Sequence, residues 1–244
     1  MSNPYESPAL VAQYLEFHYG PTYFDVPNFP REVAHRALKT TQKRGRALDL
    51  GCAVGRLGFE LAREFDYVAA VDYSGAFVDT ARQLQHGATL NWDIPTEGLL
   101  TESRQCNLNM LGLDVTASRV ECLQGDAHHL PPELSGFDLI VCANLIDRLH
   151  HPEAALADIA ARLNPGGVLV VTSPYTWLDD FTPRHHWLGG YRIQARQIAS
   201  REGLAVALSD LVPAGTPEDV PFVIRETARK FQHTVAELTV WRRP

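Results

Sequence analysis

The sequence predicts an α/β fold with a mostly parallel sheet of about seven strands and helices on both faces. Two observations carry this prediction: apolar runs of strand length recur along the chain, and segments with apolar residues at helical spacing lie between them. Parallel strands form continuous apolar runs because helices cover both faces of their sheet. The 244 residues, 45% hydrophobic and 21% charged, are expected to form one domain, 1–244.

The elements follow one another in a regular order. The strand candidates are 47–50, 67–71, 119–124, 137–143, 167–172, 205–211 and 234–241. The helix candidates between them are 55–64, 74–85, 152–163 and 191–202. Proline cannot continue a helix and glycine accepts a positive φ, so the Asn-Pro-Gly-Gly run at 164–167 is expected to end one helix before the next strand.

Two segments lie outside this order. Residues 1–40 contain a predicted helix at 10–17 and an aromatic stretch at 18–24, and we expect them to form an N-terminal helical cap over the substrate. Residues 87–118 are an insertion with a predicted helix at 103–113. The cofactor-binding core is then 41–203, and 204–244 contribute C-terminal strands with substrate contacts.

Composition excludes several functional classes. Lys+Arg 22 against Asp+Glu 29 gives a net charge of −7, which removes the attraction to phosphate backbones on which nucleic-acid binding depends. There is no long apolar run and the first ten residues are polar, so neither a membrane span nor a signal peptide is expected, and the predicted location is cytoplasmic. The four scattered cysteines indicate reduced, mostly buried thiols without structural zinc.

Polar or glycine residues follow four consecutive strands of the predicted sheet. In an open α/β sheet the ligand crevice lies at the carboxyl ends of the strands, so these residues converge on one site. Asp72 lies 21 positions after Gly51, where a carboxylate accepts bonds from ribose hydroxyls. Taken singly, each such aspartate is equally explained as a helix cap. The cofactor-binding candidates are Asp49, Gly51, Cys52, Ala53, Gly55, Asp72, Tyr73, Ser74, Asp126, Ala127, Asn144 and Leu145.

Two cofactor classes fit this crevice. Read from Ala53, the loop is one residue away from the G-x-G-x-x-G fingerprint of nicotinamide enzymes. Read from Asp49, it is D-x-G-x-A-x-G, which resembles motif I of class I S-adenosylmethionine-dependent methyltransferases, with Ala53 in place of the middle glycine. The segments 137–144 and 163–169 resemble the fourth and fifth strands of that family. The resemblance implies a Rossmann-like fold with an antiparallel last strand, S-adenosyl-L-methionine as methyl donor and S-adenosyl-L-homocysteine as product.

The ends of the chain carry a closer resemblance. Its motifs lie at 3–6 (NPYE), 10–20 (LVAQYLEFHYG), 143–149 (ANLIDRL), 172–178 (TSPYTWL) and 222–233 (FVIRETARKFQH). They are similar to the methyltransferase of ovothiol biosynthesis, usually fused behind a non-haem-iron sulfoxide synthase. The resemblance implies N-methylation of the imidazole π nitrogen of 5-thiohistidine to give ovothiol A. It also implies a separate sulfoxide synthase or lyase as pathway partner, and it leaves open a selenium analogue or another histidine derivative as substrate.

Candidates for the substrate side come from segments outside the cofactor half. Arg225 is assigned to a substrate carboxylate, His233 to orienting the imidazole or accepting its proton, and Glu226 and Tyr175 to the catalytic set. The remaining substrate-binding candidates are Tyr5, Tyr14, His18, Tyr19, Tyr23, Asn144 and Arg148, with Tyr175 shared between the two sets. Ordinary alternatives stay open, namely a hairpin charge pair for Arg225, a solvated strand face for His233 and core packing for the aromatic residues.

Three pairs of adjacent histidines lie at 128–129, 150–151 and 185–186. Adjacent side chains point in different directions, and none of these histidines has an i, i+4 partner, so no metal site is expected. A subunit that only supports a partner is a further alternative, which the retained glycine loop and Asp72 disfavour.

Overall fold

The structure is a computed structural model and describes residues 4–244, so the first three residues of the predicted cap, Asn3 of the NPYE motif included, lie outside the described residues. The strands are β1 (Arg46–Leu50), β2 (Tyr67–Asp72), β3 (Leu90–Glu97), β4 (Leu100–Cys106), β5 (Val120–Gln124), β6 (Phe137–Ala143), β7 (Leu163–Ser173), β8 (Tyr191–Ile193), β9 (Arg196–Ile198), β10 (Val212–Pro213), β11 (Glu218–Arg225) and β12 (Phe231–Arg242). The helices are α1 (Pro8–Tyr19), α2 (Phe29–Leu38), α3 (Arg56–Leu61), α4 (Gly75–Gln85), α5 (Pro152–Ala161) and α6 (Ser200–Ala207).

The central sheet has the strand order β10-β12-β7-β6-β1-β2-β5, and β11 pairs with β12. Strands β5, β2, β1, β6 and β7 are parallel, so their carboxyl ends open at the same edge. β12 runs antiparallel to both β7 and β11. The predicted α/β class, with a mostly parallel sheet and an antiparallel last strand, is confirmed.

Helices cover both faces of this sheet. Buried side chains of α1, α2, α3 and α4 form one core cluster, and those of α5 and α6 form a second on the opposite face. The strands between them are continuous apolar runs; Val68, Ala69, Ala70 and Val71 of β2 are all fully buried. Burial on both faces is what makes such runs recognisable in the sequence.

Two predicted elements near the carboxyl end were wrong. The predicted strand 205–211 overlaps helix α6, whose Leu204 and C-cap Leu208 are buried four residues apart while Val206 between them is exposed. The predicted helix 191–202 begins instead as the β8–β9 hairpin, whose turn places Gln194 at φ 53°. A short apolar run fits both the helical and the strand period of apolar residues, so its sequence alone does not distinguish a helix from a strand. Packing in the folded chain decides between the two here. The sequence analysis also did not identify β11, one of the strands that pair with β12.

The insertion also differs from its prediction. Instead of a helix at 103–113, β3 and β4 form an antiparallel hairpin, followed by 3₁₀ turns at Asn109–Leu111 and Asp114–Arg119. On β3, buried Trp92 and Ile94 alternate with exposed neighbours, which is the period of a strand buried on one face. The predicted N-terminal helix is confirmed as α1, while α2 was not predicted.

A buried acid fixes α1 against the hairpin. Glu16 of α1 is 2% exposed and accepts hydrogen bonds from Trp92 Nε1 (3.0 Å) and the Tyr23 hydroxyl (2.5 Å). Arg104 Nε and Arg225 Nη1 each lie 3.8 Å from Glu16 Oε1. A buried carboxylate requires such compensation, so the cap, the β3–β4 hairpin and β11 share one polar network, called here the Glu16 network.

The remaining sequence expectations concern cysteines and membranes. Cys52, Cys106, Cys122 and Cys142 are free and buried, as predicted. Across residues 4–244, no helix has the length and apolar character needed to cross a membrane.

Candidate active site

A cavity of about 810 Å³ opens at the carboxyl ends of the parallel strands. Its walls come from the loops after β1, β2, β5 and β6, from α1 and from β11 and β12. The cofactor candidates that line it are Asp49, Gly51, Cys52, Ala53, Asp72, Tyr73, Asp126, Ala127, Asn144 and Leu145. The structure therefore brings most of the predicted cofactor set to one place.

The loop after β1 is held in a left-handed conformation over the end of β2. Gly51 and Gly55 have φ of 81° and 85°, and the backbone N–H groups of Gly51 and Cys52 both donate to Val71 O, at 2.8 and 3.0 Å. Ala53 also has a positive φ of 48°, which is unusual for a residue with a Cβ. The alanine that replaces the middle glycine of the motif therefore keeps the backbone conformation that favours glycine.

Asp72 organises this loop. Its Oδ2 accepts from Ala53 N at 2.8 Å and its Oδ1 accepts from Ser74 N at 2.9 Å. Burial raises the pKa of Asp72 above its ordinary value, against the lowering effect of these two backbone bonds. Each carboxylate oxygen keeps a further lone pair, so Asp72 can hold the loop and still accept bonds from a ligand in the cavity.

Asp49 is a buried acid with little compensation from its surroundings. Asp49 lies at the wall of the cavity and is 1% exposed, and both of its carboxylate oxygens are buried without a well-formed hydrogen bond in residues 4–244; the backbone N–H of Gly58 is the group that lowers the Asp49 pKa in part. Burial raises the pKa of Asp49 to about 8. Because an unpaired buried carboxylate is costly, this position suits a ligand that brings a positive charge.

Asp126 follows β5 and is held by histidines. Its Oδ1 accepts from both the backbone N and Nδ1 of His128, each at 2.9 Å, and its Oδ2 lies 3.1 Å from His129 Nδ1. Partial burial raises the pKa of Asp126, but the bonds from His128 and His129 outweigh it and the net pKa is lowered. Asp126 therefore presents an anionic edge to the cavity.

The opposite wall carries a paired arginine. Asp147 is 1% exposed and accepts from Ser173 Oγ (3.1 Å), Thr176 Oγ1 (2.9 Å) and Arg148 Nη1 (2.8 Å). Arg148 Nη1 also donates to Thr176 O at 3.0 Å. These contacts fix the guanidinium at the cavity wall, and Arg148 Nε donates to no residue in the described part of the chain.

Asn144 lies between this wall and the cofactor loop. Its φ is 52°, and its Oδ1 accepts from Thr172 Oγ1 at 3.0 Å. A left-handed residue directly after a strand is a form of strain that structures often place at functional sites.

The cap supplies an aromatic wall. Tyr5, Tyr14 and His18 line the cavity, with ring centroids 6.0 Å apart for Tyr5 and Tyr14 and 5.9 Å apart for Tyr14 and His18. His18 is 6% exposed, its Nδ1 meets no partner in residues 4–244, and burial, followed by the nearby Arg56, lowers its pKa to about 3. The imidazole is therefore neutral at physiological pH.

The cap is tied to the start of α4, beside Asp72. Glu6 accepts from Gly75 N (2.9 Å) and Ala76 N (3.1 Å), and Ser74 Oγ donates to Tyr5 O at 3.0 Å. A carboxylate at a helix N-terminus satisfies free N–H groups and complements the helix dipole. The sequence analysis did not identify Glu6, because the helix that it caps lies far along the chain.

Several predicted site residues have structural contacts instead. Gly55 is the N-cap of α3 and Ser74 that of α4, and neither lines the cavity. The Tyr19 hydroxyl donates to Val54 O at 2.8 Å. Tyr23 and Arg225 belong to the Glu16 network, in which Arg225 donates to the Tyr23 hydroxyl and to Glu102 and is 6% exposed.

The predicted catalytic residues do not meet at the cavity. The Tyr175 hydroxyl donates to Glu237 at 2.8 Å, and Glu226 pairs with Lys230 at 2.5 Å. His233 is exposed, because β12 turns Gln232 and Thr234, its neighbours on either side, toward the cavity. Lining residues that the sequence analysis missed include Asp180, Phe181, Phe222, Ile224, Gln232 and Thr234.

Known proteins place this arrangement in context. A family model described as a methyltransferase domain matches residues 25–214. Ubiquinone biosynthesis O-methyltransferases of Coxiella burnetii strains are 30% identical over 140 residues, which are 57% of this chain and 48% of the relative. The chain thus spans about half the length of these curated relatives.

Solved structures share the fold at low identity. The N-methyltransferase NodS from Bradyrhizobium japonicum WM9, in complex with S-adenosyl-L-homocysteine, has a TM-score of 0.55 and 18% identity, covering 96% of this chain and 98% of that one. The [4+2]-cyclase SpnF has a TM-score of 0.58 and 17% identity, covering 97% and 94%. At these identities the likeness shows the fold alone.

Proposed function

The chain belongs to the methyltransferase-domain family and is an S-adenosylmethionine-dependent methyltransferase, and from this premise we propose that it methylates an imidazole nitrogen of a small amino acid. The acceptor is 5-thiohistidine, methylated at the π nitrogen to give ovothiol A. The end motifs at 3–6, 10–20 and 222–233 support this choice by their resemblance to the ovothiol-biosynthesis enzyme. The acceptor would then be supplied by sulfoxide synthase and lyase reactions.

The observation that carries an amino-acid acceptor is the position of Arg148 beside the aromatic wall. A guanidinium held by Asp147 and Thr176, with Nε still able to donate, suits a ligand carboxylate. Tyr5 and Tyr14 offer flat faces for a planar ring at the same cavity. A zwitterionic amino acid with an aromatic side chain matches both walls.

The cofactor side fits the methyl donor. S-adenosylmethionine supplies an electrophilic methyl group on a sulfonium, together with an ammonium group and a ribose. The buried carboxylate of Asp49 suits one of the positive charges, Asp72 would accept from the ribose hydroxyls, and Asp126 with Ala127 would face the adenine.

His18 gives the acceptor ring an orientation. In the transfer a nitrogen–carbon bond forms as the sulfur–carbon bond breaks, S-adenosylhomocysteine leaves, and the imidazole gives one proton to water. The neutral His18 lines the cavity, and its Nδ1, buried and without a partner in residues 4–244, would accept an N–H bond from the acceptor ring once the imidazole turns toward it. Such a bond would aim the other ring nitrogen at the methyl group and turn the softer chalcogen away.

The test is a mass-spectrometric assay with S-adenosylmethionine and 5-thiohistidine, its selenium analogue, histidine or a phenol as acceptor. We expect a gain of one methyl with 5-thiohistidine, placed on the π nitrogen by NMR. Product only with the selenium analogue or another histidine derivative would change the acceptor within the proposal. Product only with the phenol would contradict it and favour O-methylation, the activity in the name of the Coxiella relatives.

A further inference from the structure

Three histidines from two distant segments meet at the rim of the cavity. His150 and His151 precede helix α5, and His186 ends the 3₁₀ turn Arg184–His186. Their candidate ligand nitrogens all lie within 4.8 Å of one another, and the ring centroids of His151 and His186 are 4.0 Å apart. We propose that His150, His151 and His186 bind one divalent transition-metal ion, with Zn²⁺ as the best-suited ion.

A hydrogen bond to the backbone prepares the His186 ring as a metal ligand. His186 Nδ1 lies 2.9 Å from His150 O. A carbonyl only accepts, so Nδ1 carries the hydrogen and Nε2 keeps its lone pair for a metal. A second histidine nitrogen bonded to a backbone carbonyl is the usual arrangement behind a metal-ligating imidazole.

A second layer fixes the position of His151. Its backbone N–H donates to His128 Nε2 at 3.1 Å, which requires that His128 Nδ1 donates to Asp126 Oδ1 at 2.9 Å. This chain of bonds connects the cluster to the anionic edge of the cavity. His128, which lies outside the cluster, thereby holds the backbone of His151 in place without involving the side chains of the proposed ligands.

The donor set determines the kind of ion. Three imidazoles suit Zn²⁺ and related borderline ions, whereas Mg²⁺ and Ca²⁺ prefer oxygen ligands. Zinc–nitrogen bonds of about 2.0–2.1 Å require the nitrogens to approach more closely than 4.8 Å, a change that rotation of the two exposed rings, His150 and His151, can supply. The cysteines cannot compete in the folded protein because all four are buried.

The ion would join α5 to the segment after β7. That segment carries Phe181, which lies 6.3 Å from Tyr5 between ring centroids and 5.1 Å from the Arg148 guanidinium. His150 itself lines the cavity, and three protein ligands leave a fourth coordination position free. The inference concerns this rim alone and does not depend on the proposed acceptor.

The test is metal binding by the full chain, purified without a histidine tag. We expect calorimetry to give one Co²⁺ or Zn²⁺ per chain and bound Co²⁺ to show the intense visible absorption of a low-coordinate site. Loss of a direct ligand in His186→Gln should weaken binding on the order of a hundredfold or more, since loss of outer-shell partners alone costs about 10–100-fold. His35→Ala removes an exposed histidine on α2 and should bind like the parent.

Two results would overturn the proposal. One is the absence of stoichiometric Co²⁺ binding; the other is equal affinity in His186→Gln and the parent. Circular dichroism of each variant identifies a folding defect, and His150→Gln offers a second ligand change at an exposed position. Because metal alone is the probe, failure here would leave the acceptor assay of the proposed function unaffected.

Discussion

Replacing Asp49 by asparagine should make the free protein more stable and a poorer binder of its cofactor. The parent carboxyl is 1% exposed and has no well-formed hydrogen bond in residues 4–244, and burial raises its pKa to about 8 despite the lowering effect of the Gly58 backbone N–H. The amide has a similar shape but never becomes charged. Asp49→Asn therefore separates the cost of the acid in the empty cavity from its benefit when a cationic ligand is bound.

The magnitude follows from proton linkage. The folded pKa lies above the ordinary value of 3.8, so the unfolded chain loses its proton first and stability falls as pH rises between the two pKa values. Each pH unit costs about 1.4 kcal/mol, which from pH 3.8 to about pH 7 amounts to about 4 kcal/mol. Asp49→Asn should recover about this much, a rise in Tm on the order of 10 °C for a chain of this size.

The assay is urea unfolding across pH, combined with calorimetric titration of S-adenosylhomocysteine. The Asp49→Asn curve should be flatter than that of the parent, and the exposed Asp79→Asn controls for general charge effects. The ammonium group of the ligand, placed beside Asp49, would lower the Asp49 pKa, so parental affinity should rise up to about tenfold per pH unit and level off above pH 8, with proton release on binding. A less stable Asp49→Asn, or one with parental affinity and pH dependence, would refute this reasoning.

Three further predictions test other parts of the site. Asp72→Ala should cost about 1–3 kcal/mol of cofactor affinity, because it removes an acceptor that also holds the glycine loop, and an unchanged calorimetric Kd would contradict this. Arg225→Met should lower the free energy of unfolding by about 3 kcal/mol in urea, because it removes a buried charge near Glu16; normal stability with a raised acceptor KM would instead assign Arg225 to the substrate. Arg148→Gln should raise the acceptor KM by about tenfold and leave cofactor affinity nearly unchanged, and equal effects on both would mean that the arginine only supports the wall.

The cofactor half of the site could be predicted from the sequence because its residues are local to strand ends. Asp49 and Asp72 each sit where a buried parallel strand finishes, and parallel topology alone brings such ends together. The glycine loop is likewise one continuous segment. Six of the seven strand candidates correspond to strands of the structure.

The substrate half could not be predicted to the same extent because it depends on packing between distant segments. The sequence analysis predicted that Arg225 binds a substrate carboxylate. In the structure Arg225 lies instead beside Glu16 of α1 and Glu102 of the β3–β4 hairpin. These contacts join segments far apart in the chain, so no sequence pattern indicates them. Whether His233 or Gln232 faces the cavity depends on the register of β12. The sequence analysis could not define that register because it did not identify β11. The histidine cluster combines residues whose chain separation hides any ligand spacing.

The Glu16 network has a consequence for how this domain could be recombined with its relatives. Glu16 requires Trp92 from the hairpin and Tyr23 from the chain after α1, with Arg225 close by from β11. A chimera that exchanged only the first 40 residues would replace Glu16 and Tyr23 but keep Trp92 and Arg225. The new residue at position 16 would then face side chains that are not suited to it. Transplanting substrate preference therefore requires at least three discontinuous blocks, moved together, to produce a foldable hybrid.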